Sequence, residues 1–214
     1  MLEALIETTA PEPDAAVIWL HGLGADGYDF SPIVPQLGLP AEARIRFVFP
    51  HAPEMPVTLN GGYVMRAWYD IVEPNLSARV DMAGIQRSVG LIDELVEAQL
   101  AAGITAARII LAGFSQGGVI ALHAALRANH AFGGVMALST YLPMSPDLHA
   151  PAGLSVFQAH GELDEMVPIT AAIQARNWLT QAGCEVEWHQ YAMAHAVCAE
   201  EIGAIGRWLA HRLV

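Results

Sequence analysis

Ser115 stands in Gly113-Phe114-Ser115-Gln116-Gly117, with a glycine two residues away on either side. A serine hydroxyl becomes a nucleophile when a neighbouring base takes its proton and preorganised donors receive the oxyanion that its attack creates. Ahead of it, residues 109–112 form a short apolar run opened by two isoleucines, as suits a buried parallel strand. Behind it, apolar residues from 116 to 126 recur at helical spacing. The serine therefore falls on a strand-to-helix turn, where strand and helix come so close that a Cβ at either flanking position would clash. Gly113 and Gly117 remove that clash, and the Gln116 amide at the helix start is aimed at the same spot. A small residue in a tight turn is the plain alternative, so the partners decide.

In a parallel sheet carrying such an elbow, the acid and then the histidine follow the nucleophile along the chain. Three late histidines compete. His189 lies inside a strand pattern on the face it shares with Glu185 and Glu187, and His211 lies on a helical pattern three residues from the C-terminus. His195, in YAMAHAVCAEE, falls between the last strand and the last helix, at the sheet edge where catalytic groups gather, and is the preferred base. For the acid, the strand at 154–160 runs into GELDEMVP, which offers Glu162, Asp164 and Glu165. Asp164 is preferred, three residues past the turn at Gly161 and just before the apolar segment that seats the next helix. Glu162 and Glu165 suit solvated or capping roles. Asp147, after the preceding strand, remains a rival.

The oxyanion needs a second donor. HGLGADG follows an early strand and formally spells a dinucleotide fingerprint with Gly22, Gly24 and Gly27. That fingerprint requires an acid at the end of the next strand, and here the strand ends Val48-Phe49-Pro50-His51. The same amide-rich turn suits an oxyanion loop, with the Leu23 amide as its donor.

The elements that must position these groups alternate. Strand patterns occupy residues 3–8, 16–20, 44–49, 108–112, 133–138, 154–160 and 184–191, and helical patterns occupy 79–102, 116–129, 169–182 and about 198–213. Such alternation predicts one α/β domain over residues 1–214, a mostly parallel sheet with helices on both faces. Residues 139–153 leave no room for a helical cap, so the site is expected to be open. Residues 50–74 fit neither pattern. They contain the hairpin signal Asn60-Gly61 and the apolar Leu59, Val64, Met65, Trp68 and Tyr69, which either line an acyl pocket or patch the core.

Composition removes other chemistries. All ten basic residues are arginine, which excludes Schiff-base, serine-lysine and P-loop chemistry. A net charge of −12 disfavours nucleic acid and anionic membranes, leaving small-molecule partners. Cys184 and Cys198 have no disulfide or metal spacing. There is no run long enough to span a membrane, and MLEALIETTAPEPD carries acids where a signal peptide carries basic residues, so a cytoplasmic protein is expected. The sequon-like Asn75-Leu76-Ser77 is then incidental.

Taken together, VIWLHGLGADG, NGGYVMRAWYD, RIILAGFSQGG, ALSTYLP, HGELDEMVP and MAHAVCAEE occur in an order that resembles the carboxylesterase and acyl-protein thioesterase family of α/β-hydrolases. The resemblance implies an α/β-hydrolase fold, Ser115 as nucleophile, Asp164 as acid, His195 as base, and the Leu23 and Gln116 amides as oxyanion donors. It implies no metal or organic cofactor and allows a homodimer. The expected activity is a carboxylesterase for short to medium chain esters, with acyl-protein thioesterase or lysophospholipase second and a non-catalytic binding module third. One departure stands out: Glu165 follows the acid where the family has proline. A carboxylate there is expected to favour the charged imidazole, modestly, since it can turn to solvent.

Overall fold

The apolar runs pair side by side in the computed structural model, which describes residues 2–73 and 79–214. Strands β1 (Ala4–Thr8), β2 (Ala15–Leu20), β3 (Ile45–Pro50), β6 (Ile109–Phe114), β7 (Gly134–Leu138), β8 (Ser155–Gly161) and β9 (Glu185–Tyr191) form a seven-stranded sheet in the order β1-β3-β2-β6-β7-β8-β9. Only β1 runs antiparallel to its neighbour; the other pairings are parallel. The four central strands are buried at almost every residue; β2, β6 and β7 are accordingly unbroken apolar runs, whereas β8 also buries Ser155, Gln158 and His160. At the edges, β1 and β9 alternate between covered and open residues, because one side of each faces solvent.

Helices α1 (Met82–Ala101), α2 (Gln116–Arg127) and α3 (Ile169–Gln181) contribute to the core on one face. Helix α4 (Ala199–Leu213) and the short 3-10 turn Ser31–Gln36 cover the other. Asp81 caps α1 by accepting a hydrogen bond from the Gly84 amide at 2.8 Å, which starts the helix slightly later than its apolar periodicity suggests. Residues 139–153 contain no helix. The excursion between β3 and α1 is a hairpin of β4 (Glu54–Val57) and β5 (Tyr63–Arg66), turned by Gly61 and Gly62 in left-handed backbone. Asn75-Leu76-Ser77 lies outside the described residues.

One buried carboxyl lies outside the loops that follow β8 and β9. Glu201, in the first turn of α4, is fully enclosed, and among the described residues neither carboxylate oxygen has a hydrogen bond of ordinary geometry. Burial pushes its carboxyl up to about 8, against the opposing pull of the nearby Cys198 amide. The folded state therefore holds this proton more tightly than the unfolded chain does. Stability contributed by the neutral acid is complete below pH 4.5 and is lost as pH rises towards 8. At roughly 1.4 kcal/mol per pKa unit, the loss is on the order of a few kcal/mol. Glu201→Met is expected to flatten the pH dependence between pH 5 and 8 and to raise Tm at pH 9, as thermal denaturation followed across pH will show.

Candidate active site

Ser115 occupies the turn between β6 and α2 with φ 53° and ψ −119°, a conformation rarely adopted by a residue with a side chain. Several contacts hold it there. Its amide donates to the Leu138 carbonyl at 2.9 Å, and its carbonyl accepts from the Thr140 hydroxyl at 2.7 Å. A Cβ on Gly113 would lie 2.2 Å from the Gly117 carbonyl oxygen, and one on Gly117 would lie 2.5 Å from the Leu20 and His21 carbonyl oxygens. The two glycines are thus required by close backbone approach on both sides of the serine.

At the ends of β8 and β9 the loops bring an acid and an imidazole together. Asp164 Oδ1 accepts the amides of Met166 and Val167 at 2.9 and 2.8 Å, and Oδ2 lies 2.7 Å from His195 Nδ1. The carboxylate side chain is fully buried and the imidazole largely so. A bare carboxylate in that position is tolerable only because donors surround it. The His195 loop crosses directly over Gly161, where a Cβ would meet the Met193 and Ala194 carbonyl oxygens at 2.4 Å. His195 also packs on Phe114, ring centroids 4.7 Å apart.

Sequence reasoning missed His160. Buried at the end of β8, it has Nε2 2.9 Å from the Val167 carbonyl oxygen and 3.4 Å from Asp164 Oδ2. Burial keeps its pKa below the ordinary histidine value, so it stays neutral while tying down the loop whose amides hold Asp164. Its position in HGELD, four residues before the acid, is the signal that was there to be read.

A cavity of about 520 Å³ lies over these groups, lined by Ser115, Gln116, His195, Leu23, Leu59 and Tyr69 among others. The Leu23 and Gln116 amides have no acceptor within the described residues. Ser115 Oγ has no hydrogen bond among the described residues either, and it lines the same cavity as His195. The Gln116 side chain accepts from the Trp68 amide at 2.8 Å and donates to the Tyr69 carbonyl at 2.7 Å, which fixes the segment after β5 against the elbow. His21 orders the neighbouring turn, with Nδ1 on the Gly22 carbonyl at 2.7 Å and Nε2 accepting the Ala52 amide at 3.0 Å. Burial lowers its pKa to about 4, so it is neutral.

Other residues singled out from the sequence fall elsewhere. Of the five apolar hairpin residues, Leu59 and Tyr69 line the cavity, whereas Val64, Met65 and Trp68 do not. Val64 is exposed, the Met65 sulfur sits beside Asn60, and Trp68 is buried with its indole N–H donating to the His21 carbonyl. The alternation of β5 and the turn out of it separate neighbours to different faces. Asp147 is exposed and pairs with Arg127, Glu162 accepts from Gln190, His189 lies beside Glu187, and His211 is exposed on α4. Glu165 is exposed at the rim of the cavity and makes no ion pair among the described residues. No group of three or more histidine, cysteine or acidic side chains among the described residues could hold a metal ion, and no helix there is long and apolar enough to cross a membrane.

A mostly parallel sheet of this order, with a strained serine between strand and helix and an acid and histidine on later loops, defines an α/β-hydrolase. The chain belongs to the phospholipase/carboxylesterase family, whose model matches residues 2–213. It is 35% identical over 213 residues to acyl-protein thioesterase 1 of Neurospora crassa, covering 93% of this chain and 87% of that one. To acyl-protein thioesterase 1 of Mycosarcoma maydis it is 36% identical over 218 residues, covering 92% and 91%. The crystal structure of Arabidopsis thaliana SOBER1 superposes with a TM-score of 0.86 at 29% identity, covering 94% of this chain and 99% of that one.

The Gly161 contact makes a direct prediction. Gly161→Ala must lift the 193–195 backbone, and a displacement near 1 Å is expected to lower kcat by about 10²-fold. Steady-state rates on an activated ester, with circular dichroism confirming an unchanged fold, check it.

Proposed function

We propose that the chain is a serine hydrolase that transfers an acyl group to water through Ser115, Asp164 and His195. The observation carrying this reading is the 2.7 Å contact between His195 and a buried Asp164, in one cavity with a serine held at positive φ. His195 takes the Ser115 proton as Oγ attacks the carbonyl, and Asp164 holds the imidazole in the required tautomer and stabilises its charged form. The Leu23 and Gln116 amides receive the oxyanion, a contribution of roughly 3–4 kcal/mol per donor. The leaving group departs with the proton from His195, and water then repeats the attack on the acyl-enzyme with the same groups.

The thioester reading is better supported than the carboxylesterase reading that motif analysis placed first, since both fungal relatives named above are acyl-protein thioesterases. We therefore put an S-acylated peptide or protein first among substrates. Simple short to medium chain esters come second, supported by an apolar-walled cavity of about 520 Å³ with no helical cap in the connection above it.

Fluorophosphonate is expected to label the wild-type chain and not Ser115→Ala, and Ser115→Ala is expected to lose about 10⁶-fold in kcat. Absence of labelling of the wild-type chain would favour a binding module on a hydrolase scaffold. Substrate class is decided by kcat/KM on an S-acyl peptide and its matched oxyester with the same acyl chain. A higher value for the thioester supports the first reading, and a higher value for the oxyester restores the second.

A further inference from the structure

The cavity wall holds two hydroxyls for which acyl transfer has no use. Tyr69, just after β5, and Tyr141, just after β7, both line the cavity, and their phenol oxygens lie 3.0 Å apart. Tyr69 is 2% exposed and Tyr141 8%. Around them the wall is apolar, with Leu59, Ile71, Met166 and Val167. Burial raises both phenols above their ordinary range, Tyr69 the more strongly, so both keep their protons at neutral pH.

Counting donors shows what the pair lacks. Two phenols carry two protons, and one bond between them uses one. Among the described residues no other acceptor meets either hydroxyl. The more deeply buried Tyr69 has only the Tyr141 oxygen to donate to, so the proton left over belongs to Tyr141. Solvent can accept it while the cavity is open. A substrate that fills the cavity displaces that solvent, and a plain alkyl chain then strands a buried O–H, whereas a chain bearing an oxygen at the right depth does not.

We propose that the Tyr141 hydroxyl, oriented by its bond to Tyr69 in the wall of the catalytic cavity, is a specificity-determining donor that selects acyl chains bearing an oxygen acceptor, oxo or hydroxy acyl groups, over plain alkanoyl chains of the same length. This rests on the acyl-transfer reading above and adds a substrate class to it. A site built to hydrogen-bond a substrate oxygen discriminates by more than one methylene in an apolar pocket does. The expected preference is about tenfold to a hundredfold.

The test uses thioesters and esters of one common leaving group, with acyl chains of equal length in which CH₂ is replaced by C=O or CH(OH) at successive positions. The ratio of kcat/KM for each oxygenated chain to that of its plain counterpart is measured for wild type, Tyr141→Phe and Tyr69→Phe. Comparing ratios between enzymes cancels the intrinsic reactivity of the substrates. The oxygenated-to-plain ratio is expected to fall about tenfold or more at one or more positions in Tyr141→Phe, and by less in Tyr69→Phe, where the donor survives but loses its anchor. A ratio unchanged at every position in Tyr141→Phe, or both substrates slowed by one common factor, overturns the proposal and leaves the tyrosines as shape alone. Fluorophosphonate labelling of the same preparations separates the two levels. Enzymes that label but show unmoved ratios sink only this inference, and a wild-type chain that does not label removes the acyl-transfer reading and this inference with it.

Discussion

The arrangement depends on how closely backbone passes backbone at Ser115. A residue with a side chain at φ 53° carries strain of order 1–3 kcal/mol and persists only when its surroundings leave no other choice. Here those surroundings are explicit. The Leu138 carbonyl and the Thr140 hydroxyl grip the serine backbone from β7 and the residues after it, while Gly113, Gly117 and Gly118 let the helix start within van der Waals distance of the strands and of Thr140. Relaxing the serine would break two hydrogen bonds and open a gap in a layer where every neighbouring residue of α2 is buried. The same geometry leaves the Gln116 amide without an acceptor among the described residues at the start of a helix, so the strain and the free amide have one origin.

A second constraint acts two strands away, in the loop after β8. Asp164 carries a buried carboxylate, which needs hydrogen-bond donors in place of the water it gives up. Two amides from its own loop bond one oxygen and the His195 ring meets the other, with His160 Nε2 3.4 Å away, so this buried carboxylate has a partner on each oxygen. His160 is bonded to the Val167 carbonyl and thereby braces the loop that supplies those amides. Glu201, buried without such donors, is the contrast: its carboxyl is pushed up to about 8 by the same enclosure. Both carboxyls are buried, and they differ in the donors that reach them.

The Gln116 side chain connects these features to the cavity. By bonding the Trp68 amide and the Tyr69 carbonyl, it ties the segment leaving β5 to the elbow, while the Ser88 hydroxyl of α1 holds the Trp68 carbonyl from behind. One residue thus lines the cavity beside Ser115 and uses its side chain to set the wall that carries Tyr69. The hairpin itself contributes less to the lining than its apolar residues suggest, since Val64 points to solvent and Met65 packs near Gly24.

Much of this is legible in the sequence alone. Apolar runs bounded by turns marked the strands, helical spacing marked α1 to α4, and Gly113-x-Ser115-x-Gly117 identified the elbow, because steric exclusion at a tight βα turn is local and leaves its mark on adjacent residues. The loops carrying Asp164 and His195 could be named from their place after β8 and β9. What the chain by itself left open is everything set by partners distant in order: that the 193–195 backbone crosses Gly161, that His160 stands behind Asp164, that Trp68 turns into the core while Tyr69 reaches the cavity, and that Tyr69 meets Tyr141. Local sequence encodes φ, ψ and periodicity. Which side chains share a hydrogen bond across 72 positions is decided by the order and twist of the strands that carry them.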